Sequence, residues 1–245
     1  MNIRIDIEYI GTNFFGWQKQ KRLRTIQGEI EKSVKKIFGE KIIVYGSGRT
    51  DSGVHAINQV ANFHVKDEKK INMIGLKNKL NSILDSDIKI KSCNKVDENF
   101  HAQYDCKEKV YLYRIKINEP CSVFEKGRMW YLKKSINTKK LEKISSVFVG
   151  EIDFINFCKT GYSGENTVRN LRKISIKEKK NYIDFFITGN GFLRGMVRLI
   201  IGCLINFEKG VIQKKDVVLA LKNKKRLKLN YSVPAEGLYL YKVKY

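Results

Sequence analysis

The chain has 245 residues, of which 42% are hydrophobic, enough apolar material for one large domain or two small ones. Lys and Arg outnumber Asp and Glu by 48 to 25, and the resulting formal charge of +23 favours a polyanionic partner, with nucleic acid first and an anionic membrane surface second. The five cysteines form no C-x-x-C pair, which excludes a disulfide framework and a cysteine zinc site and suits a reducing cytosol.

Residues 1–100 predict the element order β-α-β-β-α-β, which is ferredoxin-like. Isoleucine and charged residues alternate over Ile3–Tyr9, the period of a half-buried strand. Apolar residues then recur at helical spacing over Ile26–Phe38, with Thr25 as N-cap and Gly39 as the C-terminal stop. The remaining predicted elements of this half are strands over Lys41–Tyr45, Asn58–Val65 and Asp87–Val96 and a helix over Ile71–Leu84.

Residues 101–245 repeat this order more loosely. The predicted elements are a strand over Lys109–Asn118, a helix marked by Leu141, Ile144 and Phe148, a hairpin of Asn170–Lys177 and Tyr182–Thr188, helices over Phe192–Phe207 and Asp216–Leu221, and a strand over Gly237–Val243. The fold class predicted is therefore α+β. It consists of two ferredoxin-like halves, 1–100 and 101–245, related by a pseudo-twofold, with mainly antiparallel sheets that form a central catalytic cleft.

The loop between the second and third predicted strands contains the first candidate site residue. Glycines flank Asp51 on both sides within Gly46–Ala56, and a rigid scaffold can present a carboxylate on such a loop to a ligand. The alternative is an ordinary turn in which the Asp side chain hydrogen-bonds its own backbone. Spacing alone favours the ordinary turn, because loops contain turn residues far more often than catalytic carboxylates.

Two further patterns carry candidate residues. Tyr111 and Tyr113 lie two apart on one strand and face the same side, either as ordinary core or as an aromatic platform for an unstacked base. Arg194 and Arg198 lie four apart on the predicted apolar helix, either as a surface pair or as cations that face a buried partner.

Several motifs of the chain resemble those of the bacterial tRNA pseudouridine synthase A family. The segment Gly48–Ala56 resembles the catalytic motif of that family, and Phe192–Gly202 resembles its Phe-Leu-x-x-Met-Val-Arg motif. The similarity extends in order along the whole chain, through Gly16–Gln20, Thr25–Glu31, Phe100–Ala102, Asn166–Arg169 and Pro234–Leu240. The chain departs from the family pattern at Gln103, Ile152 and Leu199, which affects the expected RNA contacts and substrate preference.

The resemblance implies roles for four residues. Asp51 is the catalytic residue, Tyr111 rather than Tyr113 contacts the target base, and Arg198 pairs with Asp51 and favours its ionised form. Arg49, on the same loop as Asp51, occupies the space that the flipped nucleotide leaves.

The implied reaction is the isomerisation of uridine to pseudouridine at positions 38, 39 and 40 of the tRNA anticodon arm, by a cytoplasmic homodimer that uses no cofactor and no metal. Two features of the sequence agree with this implication. The spacing of the three histidines is unlike that of metal ligands, which argues against a metal site, and no phosphate-binding loop motif occurs, which argues against nucleotide hydrolysis. The run Leu199–Phe207 is too short to span a bilayer, and Met1–Gly11 is unlike a signal peptide. Two rival functions remain, a non-catalytic RNA-binding protein and an aspartyl-nucleophile phosphotransferase.

Overall fold

The computed structural model describes residues 1–66, 71–161, 164, 166–223, 227 and 231–245. These residues form two compact units. The N-terminal unit comprises Met1–Lys107 together with Tyr239–Tyr245, and the C-terminal unit comprises Glu108–Leu238. Within the described ranges, no helix is long and apolar enough to cross a membrane.

The N-terminal unit has the predicted order β-α-β-β-α-β. Its elements are β1 (Asn2–Tyr9), α1 (Ile26–Phe38), β2 (Tyr45–Gly46), β3 (His55–His64), α2 (Met73–Ile83) and β4 (Ile88–Val96). The ladders among these four strands are antiparallel, and the strands lie in the order β4-β1-β3-β2. The ferredoxin-like prediction for this half is therefore confirmed.

Local signals explain why β1 and α1 form where the sequence predicts them. The alternating isoleucines of β1 are fully buried, and so is the apolar face of α1 that begins at Ile26. The Thr25 hydroxyl accepts a hydrogen bond from the Gly28 N–H, and Gly39 ends the helix at φ +77° with its N–H on the Lys35 carbonyl. Both caps satisfy backbone groups that the helix itself leaves without partners.

The predicted strand over Lys41–Tyr45 is wrong in extent, because only Tyr45–Gly46 pairs as a strand. The backbone of Val44 instead bonds to side chains of α1. The Gln27 amide donates to the Val44 carbonyl at 3.0 Å, and the Val44 N–H donates to Glu31 at 3.3 Å. Side chains from the helix therefore take the place of a ladder at this position.

The C-terminal unit is also a mainly antiparallel sheet with helices. Its elements are β5 (Glu108–Lys116), β6 (Trp130–Tyr131), α3 (Thr138–Ser145), β7 (Gly150–Asp153), β8 (Val168–Glu178), β9 (Tyr182–Gly189), α4 (Met196–Glu208) and α5 (Lys214–Leu221). The strands lie in the order β7-β8-β9-β5, and β6 pairs with β5 in parallel. The two short strands β6 and β7 are additions to the predicted order.

The last strand, β10 (Leu238–Lys244), returns to the N-terminal unit. It pairs with β3 in parallel, Tyr239 opposite His55 and Leu240 opposite Ala56. The compact units thus differ from the predicted halves 1–100 and 101–245 in residues 101–107 and 239–245. The prediction of an α+β fold with mainly antiparallel sheets is confirmed, whereas the domain division, the pseudo-twofold and the cleft stay predictions.

Candidate active site

The candidate catalytic carboxylate lies on a tight turn between β2 and β3. Asp51 is half-buried, and its carbonyl accepts a hydrogen bond from the Val54 N–H at 3.1 Å. Gly53 closes the turn at φ +78°, a conformation that side chains with a Cβ rarely adopt. A turn closed by a backbone hydrogen bond is therefore present, and the surrounding contacts decide how firmly it is held.

The turn is tied by its backbone to the segment that follows β1. The Trp17 N–H donates to the Thr50 carbonyl at 3.0 Å. The Phe14 carbonyl accepts from both the Gly53 N–H, at 3.3 Å, and the Ser52 hydroxyl, at 3.1 Å. The chain is thus fixed immediately before and immediately after Asp51, so the carboxylate projects from a positioned backbone.

Two glycines allow this close approach. A Cβ on Gly16 would lie 2.5 Å from the Thr50 carbonyl oxygen, and a Cβ on Gly11 would lie 2.0 Å from the Val54 carbonyl oxygen. Gly16 also has φ +85°. Both glycines support the candidate site without belonging to it. The sequence signal that could have identified them is their occurrence in a loop directly after a buried strand.

Two buried side chains brace the same loop from the sheet. The Tyr9 hydroxyl lies 2.8 Å from the Thr50 hydroxyl, and the Gln59 amide donates to the Gly48 carbonyl at 2.7 Å. Burial raises the pKa of Tyr9, so this phenol stays neutral and acts as a hydrogen-bonding partner.

His55 has a structural role next to the turn. Its ring is buried, and Nδ1 accepts the Gly11 N–H at 3.0 Å, which leaves the ring proton on Nε2 in the neutral form. The ring also contacts that of Tyr239 at 4.7 Å between centroids. Arg49, two residues before Asp51, is exposed on the same loop.

The structure distinguishes the two tyrosines of β5. Tyr113 is fully buried, its hydroxyl donates to the Pro234 carbonyl at 2.9 Å, and burial raises its pKa. Tyr111 keeps 7% of its surface, and the ring of Phe192 lies nearly perpendicular to it at 4.8 Å. Both tyrosines are therefore buried, and they differ in their contacts, since the Tyr113 hydroxyl is bonded to the backbone whereas the Tyr111 ring packs edge-on against Phe192.

Arg198 lies in the first turn of α4, which begins at Met196 rather than at the predicted Phe192. Gly195, at φ +69°, stops the helix from extending further back. Arg194 is consequently exposed and outside the helix, so the predicted i, i+4 pair of arginines is wrong. Arg198 is half-buried, and its Nε donates to the Val233 carbonyl at 2.7 Å.

The candidate residues fall into two groups. Asp51 and Arg49 belong to the N-terminal unit, and Tyr111 and Arg198 to the C-terminal unit. The pairing of Asp51 with Arg198 stays a prediction. Among the described residues, no three His, Cys, Asp or Glu side chains cluster as metal ligands do. What the N-terminal unit offers is a carboxylate on a braced loop, a geometry that suits a nucleophile or a general base.

A family model described as "tRNA pseudouridine synthase" matches residues 6–105 and 144–245. The first match contains Asp51 and the second contains Arg198, while Tyr111 lies between them. The fold and the matched segments together place the chain among enzymes that isomerise uridine.

Similar proteins narrow this class. A "tRNA pseudouridine synthase A" of Thermodesulfovibrio yellowstonii is 38% identical over 260 residues, and one of Dictyoglomus thermophilum is 38% identical over 245, each alignment covering 100% of both chains. A third, from Brachyspira hyodysenteriae, is 39% identical over 240 residues, 97% of this chain and 96% of the relative. The chain belongs to the bacterial tRNA pseudouridine synthase A family, whose members are RNA-modifying isomerases.

Proposed function

We propose that this protein converts uridine to pseudouridine at positions 38, 39 and 40 of the tRNA anticodon stem-loop. Family membership supports the reaction class, and the braced turn at Asp51 is the structural observation that carries the proposal. The reaction breaks the N1–C1′ bond of uridine and forms a C5–C1′ bond, while the proton on C5 is released and N1 gains one. It is an isomerisation, so it needs no external oxidant, reductant or energy source.

Asp51 is the proposed catalytic residue. A carboxylate can add to the sugar or the ring as a nucleophile, or remove a proton as a base, and both roles require it ionised and oriented. The bonds to Thr50 and Gly53 fix the backbone on both sides, so little ordering remains to be done when the substrate binds.

Tyr111, Arg198 and Arg49 have proposed roles toward the substrate. Tyr111 contacts the target uracil, with Phe192 holding its ring. Arg198 pairs with Asp51 and keeps that carboxylate ionised, because a guanidinium next to a carboxylate favours the charged form. Arg49 fills the space that the flipped nucleotide leaves. Extrusion of a base costs a few kcal/mol of stacking, roughly two to four, which such contacts must offset.

The proposed partner is the anticodon arm of tRNA, bound by a cytoplasmic homodimer. The charge of +23 supports a polyanionic partner. Because the chemistry exchanges one glycosidic bond for another within the same nucleotide, the proposal includes no cofactor.

The decisive experiment follows tritium release from tRNA transcripts labelled at C5 of uridine, since the C5 hydrogen leaves when C5 bonds to C1′. The wild-type protein should release tritium, and Asp51→Asn should bind the same transcript with unchanged affinity and release none. Asp85→Asn is the matched control, because Asp85 forms an exposed ion pair with Arg24 in the same unit. A wild-type protein that binds tRNA without releasing tritium would support the non-catalytic rival and overturn the proposal.

A further inference from the structure

The N-terminal unit carries a run of three aromatic rings outside the Asp51 turn. The rings of His101 and Tyr104 lie 4.3 Å apart between centroids at 33° to each other, and those of Tyr45 and His101 lie 5.1 Å apart at 47°. Both outer rings are open to solvent, Tyr104 to 77% and Tyr45 to 39%. This aromatic ladder, Tyr45-His101-Tyr104, takes no part in the roles assigned to Asp51 and Arg49.

The central ring of the ladder is held by its own turn. His101 Nδ1 accepts the N–H groups of Gln103 at 3.1 Å and Tyr104 at 3.4 Å. The backbone N–H of His101 donates to the Asp105 carboxylate at 2.8 Å, and the Asp105 N–H returns to the His101 carbonyl at 3.1 Å. The imidazole therefore has a fixed plane, with its proton on Nε2, and Tyr104 stacks on a positioned surface.

Core packing does not explain the outer ring of Tyr104. A tyrosine that contributes to a core buries most of its ring, whereas three quarters of this one remain in water. What the contact with His101 does supply is orientation. An exposed aromatic ring that is already oriented loses little conformational entropy when a flat ligand stacks on it.

We propose that Tyr104 is a stacking platform for an unpaired base of the bound RNA, at a site separate from the reacting uridine. Every nucleobase has a π-face, so the platform accepts a base without reading its identity, as aromatic platforms in single-strand binding proteins do. This inference rests on the proposed function, because it takes the bound ligand to be RNA.

The register of β3 places the aromatic ladder and the Asp51 turn near opposite ends of this strand. Tyr45 pairs with Asn62 near the end of β3, whereas the Asp51 turn leads into the first residue of β3, His55. Seven residues of strand at about 3.3 Å each place the backbones of Asn62 and His55 roughly 20 Å apart. We therefore assign the base on Tyr104 to a different nucleotide from the reacting uridine. The contact would strengthen binding and position the RNA, and it would take no part in the reaction itself.

The test measures affinity and turnover separately for Tyr104→Ala, Tyr104→Leu and Tyr104→Phe. At fixed salt, the Ala and Leu variants should bind an unmodified tRNA transcript roughly 5- to 150-fold more weakly, the usual effect of removing one base–aromatic stack. Leucine keeps apolar bulk without a flat ring, so a loss of affinity in Tyr104→Leu distinguishes stacking from simple hydrophobic contact. Tyr104→Phe should bind within about 2-fold of wild type. Turnover at saturating tRNA should be unchanged in all three, with the defect confined to KM.

Phe124→Ala is the control, because Phe124 is 83% exposed in the C-terminal unit and should leave binding unchanged. Circular dichroism of each variant checks that the fold is retained. Wild-type affinity in Tyr104→Ala, with an active wild-type enzyme, would overturn this inference alone. Absence of tritium release by the wild-type protein would instead overturn the proposed function.

Discussion

Gly16→Ala offers a sharp test of whether the position of the Asp51 turn limits catalysis. A Cβ at residue 16 would lie 2.5 Å from the Thr50 carbonyl oxygen, 3.2 Å from the Asp51 carbonyl carbon and 3.3 Å from the Ser52 nitrogen. Real Cβ atoms essentially never come within 3.0 Å of such neighbours, so the shortest contact must open by at least 0.5 Å. The three nearest atoms all belong to the backbone that carries Asp51, so we expect the new methyl group to displace this turn relative to the segment after β1.

The expected effects on activity and on stability have different origins. A displacement of 1 Å in a catalytic group can cost 10²-fold in rate, so a shift of half that size should lower turnover by about tenfold or more. Alanine at φ +85° also costs about 1–2 kcal/mol of folding free energy, because the left-handed region is unfavourable to a residue with a Cβ.

Gly39→Ala is the matched control for this experiment. Gly39 has a similar φ of +77°, yet a Cβ there would meet nothing within 4 Å. Both variants should lose the stability that a Cβ costs at positive φ, and Gly16→Ala should lose more in urea unfolding because its steric clash adds to that cost. Only Gly16→Ala should lose activity in single-turnover tritium release at saturating tRNA. Equal turnover by the two variants would refute the argument that contact with Gly16 sets the position of Asp51.

The remaining predictions concern the C-terminal unit and the net charge. Arg198→Ala should abolish tritium release and Arg198→Lys should retain part of it, since lysine keeps the charge without the fork geometry; full activity in Arg198→Ala would contradict the pairing with the catalytic carboxylate. Tyr113→Phe should lose about 1–3 kcal/mol in urea unfolding, because the Pro234 carbonyl loses its partner, and should keep near wild-type kcat. Hydrogen bonds from the Ser122 N–H and the Lys116 ammonium lower the pKa of Glu125. The stability that the ionised Glu125 adds is therefore complete above the ordinary glutamate pKa and is lost as the pH falls through the lowered pKa. Glu125→Gln should flatten that part of the curve of unfolding free energy against pH. Log affinity for tRNA should fall linearly with log salt, with a slope of roughly 0.7–0.9 per phosphate contact, and a flat dependence would mean that the charge of +23 forms no binding face.

Helices and strands that are determined by nearby residues were predictable from the sequence. The alternation in Ile3–Tyr9 needs only a sheet with one buried face, and α1 carries its own caps at Thr25 and Gly39, so both appear within one residue of the predicted bounds. Strands β6 and β7 are too short for a period to be visible.

The residues of the candidate loop were predictable from the sequence, but the contacts that hold the loop in place were not. Its glycines and its carboxylate are visible in the sequence. The contacts that position it come from the segment after β1, some thirty to forty residues earlier, as in the bond from Ser52 to Phe14 with a separation of 38 residues. Close backbone approach at Gly16 depends on tertiary structure, so no window of sequence contains it.

The two tyrosines of β5 also differ only through contacts with residues that are distant in the chain. Tyr111 and Tyr113 are equivalent by strand period, because residues two apart face the same side. What separates them is distant in the chain, since the Tyr113 hydroxyl bonds to Pro234, 121 residues away, while Phe192 lies against Tyr111. A Cβ on Gly237 would approach the Tyr113 ring to 2.7 Å, so backbone packs directly against that ring. A ring enclosed in this way, with its hydroxyl engaged, cannot turn toward a substrate without breaking the core, which favours Tyr111 over Tyr113 in the proposed contact with the base.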